Sequence, residues 1–193
     1  MKNRRLTSLS AAAALFATTF AHAETVVIEA AQYLDVVQGR LVAPAVIVVE
    51  GEKIAAINPA TRPANARTID LGGQTLLPGL MDSHTHLNYD IVEGWETEPV
   101  RFTAGDYALR GTVNARKTLL AGFTTVRDLG TGLGFSDVAL QRAIDQGWVI
   151  GPRMIPAGHA LSITGGHCDL TGFGPGIEPA SYVSGVADGG GEV

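Results

Sequence analysis

The sequence predicts an α/β fold, a small β-sheet domain followed by parallel strands that alternate with helices. Three observations carry this. Residues 25–70 hold short β-branched runs punctuated by turn formers. Residues 75–157 alternate between strand-like and helix-like periods. Gly72 and Gly73 stand between the two regions. The chain has 193 residues, enough for one domain or one domain and part of another. With 46% hydrophobic and 17% charged residues it is too apolar to be disordered. A formal charge of −5 and the absence of any Lys/Arg-rich block argue against nucleic-acid binding. One cysteine, Cys168, excludes an internal disulfide framework and a Cys-based zinc motif.

The first element is an export signal at residues 1–23. Lys2, Arg4 and Arg5 give a basic start, residues 9–20 form a short run of Ala, Leu and Phe, and Ala21-His22-Ala23 matches a small-x-small cleavage pattern. The run is too short to span a bilayer of about 30 Å. The expected location is therefore the periplasm or outside the cell, with no membrane span after cleavage.

Residues 24–74 form the small β domain, read as sandwich-like. Its strands are expected at residues 25–28, 45–49 and 53–57, with Glu50-Gly51-Glu52 as a tight hairpin turn in a meander. Residues 75–193 form the α/β part. A strand is expected over residues 75–87, entered through Pro78 and Gly79. Thr103 and Asp106 match a capping box, Ala108, Thr112, Ala115 and Leu119 follow at helical spacing, and Gly122 closes the helix. A second strand covers residues 123–128. Ser136 is placed to cap a helix carrying Leu140, Ala143 and Ile144, closed by Gly147, and residues 153–157 make a third strand. Alternation of this kind implies parallel strands.

A (β/α)8 barrel typically needs about 250 residues and eight such units. Three units are therefore read as the N-terminal part of a TIM-type barrel. The tail at residues 182–193 reads as the approach to a further helix. Open strand edges, with apolar flanks such as Leu80 and Val126 left uncovered, favour self-association, so a homo-oligomer is among the expected partners.

The sharpest chemical signal is LLPGLMDSHTHL at residues 76–87. His84 and His86 are two apart, the side-chain period of a strand, so both imidazoles leave one face. At the C-terminal end of a parallel strand that face opens on the usual active-site mouth. Two imidazoles at this spacing suit one Zn²⁺, Ni²⁺ or Fe²⁺ ion. Asp82, two residues earlier, is placed to support an imidazole from behind. Arg127 and Asp128 close the second strand, where such a pair holds a ligand or fixes a loop. His167 follows the third strand behind Gly165 and Gly166, which allow close backbone approach to a ligand. His159 is a weaker candidate, and Cys168 beside Asp169 lacks the electropositive surroundings of a reactive thiolate. GTGLG at residues 130–134 imitates a dinucleotide loop, but the fingerprint requires glycine where Phe135 stands.

LPGLMDSHTH at residues 77–86 resembles the first-strand motif of the amidohydrolase superfamily. GFTTVRD at residues 122–128 and SITGGH at residues 162–167 resemble the branch that holds imidazolonepropionases and Xaa-Pro dipeptidases. The resemblance implies that His84 and His86 bind the more buried of two divalent metals, expected to be zinc. It further implies that a metal-activated water attacks the carbonyl of a cyclic amide or dipeptide, and that His167 borders this small-molecule substrate. Asp82 and Asp128 are read, from their positions alone, as supports behind the ligands. The bridging lysine, two further histidines and proton-shuttling aspartate of such enzymes have no matching position here. No catalytic acid–base residue is assigned, and the chain alone is expected to be inactive. Two other readings stand beside this one: a catalytically dead interaction module, and a mononuclear deaminase-like hydrolase.

Overall fold

The computed structural model describes residues 24–130, 134–169, 171–177 and 185–191; the expected export signal lies outside the described residues. The chain divides into two compact units between Leu77 and Pro78.

The first unit holds seven strands: β1 (Thr25–Ala30), β2 (Gln32–Asp35), β3 (Arg40–Val42), β4 (Ala45–Glu50), β5 (Lys53–Ile57), β6 (Arg67–Asp70) and β7 (Thr75–Leu76). They make two sheets, ordered β5-β4-β1-β6 and β3-β2-β7. Val27 of β1 and Val48 of β4 are buried on one face of the sheet, and Ala30, Ala45 and Ile47 on the other. The expected hairpin is present. Glu50 pairs with Lys53 across a two-residue turn, and Gly51 takes φ 59°, a region open to glycine.

The expected meander is not what forms. β1 pairs antiparallel with β4 on one side and parallel with β6 on the other, through a connection that leaves β5 at Asn58. Asn58 ends β5 by accepting the Val46 amide on its side-chain oxygen, 2.8 Å away, and donating its own amide to the Val46 carbonyl. β5 remains the edge strand, and β6 pairs on the free side of β1.

The single strand expected over residues 75–87 is two. β7 pairs with β2, and β8 (Leu80–Thr85) begins beyond Pro78. Proline has no amide hydrogen for a ladder, and Gly79 lies so close to β9 that a Cβ there would sit 2.1 Å from Thr124 Oγ1.

The second unit is a parallel sheet ordered β10-β9-β8, with β9 (Phe123–Asp128) central and β10 (Arg153–Pro156) on its far side. Helix α1 (Ala104–Leu120) connects β8 to β9, and α2 (Ser136–Asp145) connects β9 to β10. A 3-10 helix at Trp95–Val100, not expected from the sequence, precedes α1. α1 packs on β9 and on α2, and α2 on β10. Their shared core is Leu87, Ala115, Val126, Leu140 and Met154, with Phe123, Ile144 and Val149 against it. Val126 is therefore buried, contrary to expectation, because the helices cover the central strand; Leu80, on edge strand β8, is exposed.

Both helices depart from the sequence reading in detail. The α1 capping box forms as read, with the Thr103 hydroxyl and the Asp106 carboxylate exchanging backbone amides. Its most buried line is Tyr107, Gly111 and Ala115, which keeps Ala115 of the expected stripe but has Tyr107 and Gly111 in place of Ala108 and Thr112. The small residues bring α1 close: a Cβ on Gly111 would sit 2.7 Å from both Asn88 Nδ2 and Leu140 Cδ2. Ser136 is the first residue of α2 rather than its cap. The cap position is Phe135, in left-handed backbone at φ 53°. The described tail runs beside the segment after β10, with Val186 bridging Ser162 and the Asp188 carboxylate accepting the Thr164 amide and hydroxyl. No described helix is long and apolar enough to cross a membrane.

Gly111→Ala should destabilise the protein by about 1–3 kcal/mol, as overpacking does, although alanine is the better helix former. A urea midpoint equal to or above that of the parent would refute the close packing of α1. The Asp106 carboxyl is held below its ordinary range, first by the Thr103 hydroxyl and then by the Thr103 amide. Its contribution is present at neutral pH and is lost as pH falls through that lowered value. Thr103→Ala should therefore lower the midpoint more at neutral pH than in strong acid, measured by denaturation at both.

Candidate metal and active site

The three parallel strands of the second unit end level. Thr85, Asp128 and Pro156 are in register, and the ladder continues one residue further, from the Leu129 amide to the Thr85 carbonyl and from the Ala157 amide to the Asp128 carbonyl. His84 and His86 flank Thr85 at this edge, both exposed. Their ring centroids are 5.6 Å apart at an interplanar angle of 72°. The register with β9 shifts between Asp82 and Thr85, so the pair sits on an irregular strand end rather than a plain pleat.

Asp82 Oδ1 accepts the backbone amide of His84 at 2.9 Å, because a short carboxylate reaches most readily the amide two residues on. The hydrogen-bond partner of the His86 ring lies elsewhere. Its Nδ1 lies 2.8 Å from the Gly130 carbonyl oxygen. A carbonyl only accepts, so Nδ1 carries the hydrogen and Nε2 keeps the lone pair. Gly130 takes φ 92°, and a Cβ there would lie 2.1 Å from the Gly158 carbonyl oxygen, so glycine alone fits.

Asp128 is wholly buried. Its Oδ2 accepts the Leu87 amide at 2.7 Å and its Oδ1 the Gly130 amide at 3.0 Å. Burial holds its carboxyl above the ordinary range, against the pull of those two donors; buried Asp137 nearby adds to the rise and His86 opposes it. Asp137 accepts the Gly158 amide on Oδ2 at 2.8 Å, while its buried Oδ1 has no partner among the described residues. His159, packed edge-on to Phe135 with centroids 4.2 Å apart, has both ring nitrogens buried and without a partner among the described residues. Arg127 is exposed and offers only its carbonyl, to the Thr85 hydroxyl.

His167 lies exposed in a turn after β10. The turn is fastened by the Gly166 amide to the Ile163 carbonyl, the Gly165 amide to the Asp169 carboxylate, and the Cys168 amide to Ser162 Oγ. The structure brings together His84, His86 and Asp128, and places His167 on a separate turn. Among the described residues, no group of three or more His, Cys, Asp or Glu side chains is placed to hold a metal ion. His84 and His86 offer two neutral nitrogen donors that fit a divalent ion as part of a larger set.

Sequence reasoning missed the device that anchors the segment after the histidines. Arg110 of α1 forks onto both oxygens of buried Glu98 at 2.8 Å each, approaches Asp90 at 3.6 Å, and lies against the Phe102 and Tyr107 rings. Burial, with Glu98 second, pushes the Tyr107 hydroxyl up to about 12. The pairing of Arg110 with Glu98 joins a helix to a 3-10 turn, a relation no local pattern announces.

A profile of the amidohydrolase family matches residues 75–185. An ochratoxinase from Aspergillus niger is 36% identical over 113 residues, covering 55% of this chain and 22% of that protein. An imidazolonepropionase from Arthrobacter sp. (strain FB24) is 32% identical over 145 residues, covering 62% of this chain and 36% of that protein. Among solved structures, a prolidase complexed with N-methylphosphonate-L-proline superimposes with TM-score 0.71 at 32% identity, over 86% of this chain and 41% of that one. A Xaa-Pro dipeptidase with bound methionine gives TM-score 0.73 at 31% identity, over 88% of this chain and 42% of that one. The match thus spans well under half the length of each of these proteins.

Removing Glu98 as Glu98→Ala should leave Arg110 half-buried with only the more distant Asp90. Breaking a buried pair costs about 3–5 kcal/mol, and the loss here should fall at the low end of that range. A double-mutant cycle with Arg110→Met should recover part of the loss. Additive losses in urea denaturation would mean that the two residues are not coupled.

Proposed function

This chain belongs to the amidohydrolase family, and we propose that it serves a metal-dependent hydrolysis of carbon–nitrogen bonds, with Xaa-Pro dipeptides or cyclic amides as the substrate class. The observation that carries the proposal is the adjacency of His84 and His86 at the level strand ends, with His86 fixed so that Nε2 is free to ligate. The names of the solved neighbours that superimpose over most of the chain support dipeptides ending in proline.

In this reading His84 and His86 hold a divalent ion, zinc being suited to two imidazoles. When bound, that ion supplies Lewis acidity, which polarises a carbonyl and makes water acidic near neutral pH. His84 and His86 act in this reading as ligands and not as acid or base, and His86 keeps its hydrogen on Nδ1 toward Gly130. Asp128 holds the backbone around His86 and takes no part in bond breaking. His167, on its turn after β10, contributes to the substrate border. The pattern of residues 1–23 supports export of the protein.

The test measures metal content and hydrolysis of a panel of Xaa-Pro dipeptides, with zinc supplied, for a full-length form of the enzyme and for its His84→Ala variant. Loss of tight metal retention and of turnover together is the expected result. Unchanged metal load and turnover in the variant would overturn the assignment.

A further inference from the structure

We propose that Asp128 is a positioning residue for His86, selecting the ring tautomer that can bind metal, and that it does so without touching the ring. The proposal rests on the reading of His84 and His86 as ligands. Asp128 bonds two backbone amides on either side of His86. One belongs to Leu87, the residue that follows His86 in the chain; the other belongs to Gly130, whose carbonyl takes the hydrogen of His86 Nδ1. One carboxylate therefore fixes both the main chain that carries the ring and the acceptor that orients it.

The geometry is specific to these atoms. Val126 and Asp128 are two apart on β9 and share its helix-facing side, so the carboxylate approaches the histidine loop from beneath the helices. It forms no ion pair among the described residues, and both oxygens are used on amides. Gly130 also packs closely on Gly158, whose carbonyl oxygen leaves no room for a Cβ at position 130. Metal-binding histidines are commonly oriented by a direct carboxylate contact, and disturbing such a partner costs about 10–100-fold in metal affinity. Here a peptide unit stands between carboxylate and ring. An asparagine at position 128 would match the shape but present an NH₂ group to one of the two amides, breaking the clamp at Leu87 or at Gly130.

Asp106 supplies the control. Its carboxylate also accepts a backbone amide, that of Thr103 at the start of α1, and it shares no hydrogen-bond partner with His86 among the described residues. The experiment compares the parent chain, Asp128→Asn and Asp106→Asn, each shown to be folded by circular dichroism. Two readouts are taken: the His86 tautomer from long-range ¹H–¹⁵N correlations without metal, and the Kd for Co²⁺ from its visible absorption. The parent should show one tautomer with the hydrogen on Nδ1. Asp128→Asn should mix the tautomers and raise the Kd by about 10–100-fold, while Asp106→Asn changes neither. A folded Asp128→Asn with a single Nδ1–H tautomer, or with a Kd within twofold of the parent, would overturn the proposal; so would equal effects from Asp106→Asn. If Asp128→Asn does not fold, the parent alone still decides, since a hydrogen found on Nε2 of His86 sinks the proposal. Failure of the ligand reading is separate: it shows as a Co²⁺ affinity that His84→Ala leaves unchanged, whatever the tautomer.

Discussion

The buried carboxylate of Asp128 is the constraint on which the histidine-bearing edge depends. A carboxylate taken out of water is costly unless its oxygens find donors. This one finds two backbone amides, and those amides lie on the segments leaving β8 and β9. The cost of burial thus becomes a geometric demand, since the loops must come to the carboxylate. Through Gly130 the same demand reaches His86.

The helix above this edge obeys a second demand, for space. Gly111 and Ala115 let α1 approach closely enough for buried Asn88 to donate to the Tyr107 carbonyl at 3.1 Å. Asn114 of the same helix reaches the Leu87 carbonyl and Asp90. The residues just after the histidines are therefore held by helix side chains above and by Asp128 at the strand end. The Arg110–Glu98 fork, backed by the Phe102 and Tyr107 rings, extends this hold to the 3-10 turn. A loop that would otherwise be free to wander is fixed at several points, as a preformed binding edge requires.

Unspent polar groups gather at the same end. Asp137 Oδ1 and both ring nitrogens of His159 are buried without partners among the described residues. Each carries a desolvation cost of about 1–3 kcal/mol that nothing offsets within the described residues. They flank the turn that holds Gly158, against which Gly130 is fitted. Stability is thus given up next to the edge where the histidines stand, a pattern common at sites that bind something.

Local features were legible in the sequence because their causes are local. The capping box of α1, the hairpin at Gly51, the parallel order of strand, helix and strand, and the His84–His86 pair each depend on residues within a few positions of one another. What a residue does across the fold was not legible. Asp82 bonds the amide of His84, and the partner of the His86 ring is Gly130, 44 residues away and inside a glycine run that imitates a nucleotide loop. The split of the expected strand at Pro78, the pairing of β6 with β1, the burial of Val126 and the turn of α1 onto Gly111 were likewise decided by partners distant in the chain. Periodicity tells which side chains share a face. Which face is covered, and by what, depends on the close packing of elements that the sequence order does not bring together, and only the tertiary structure decided it.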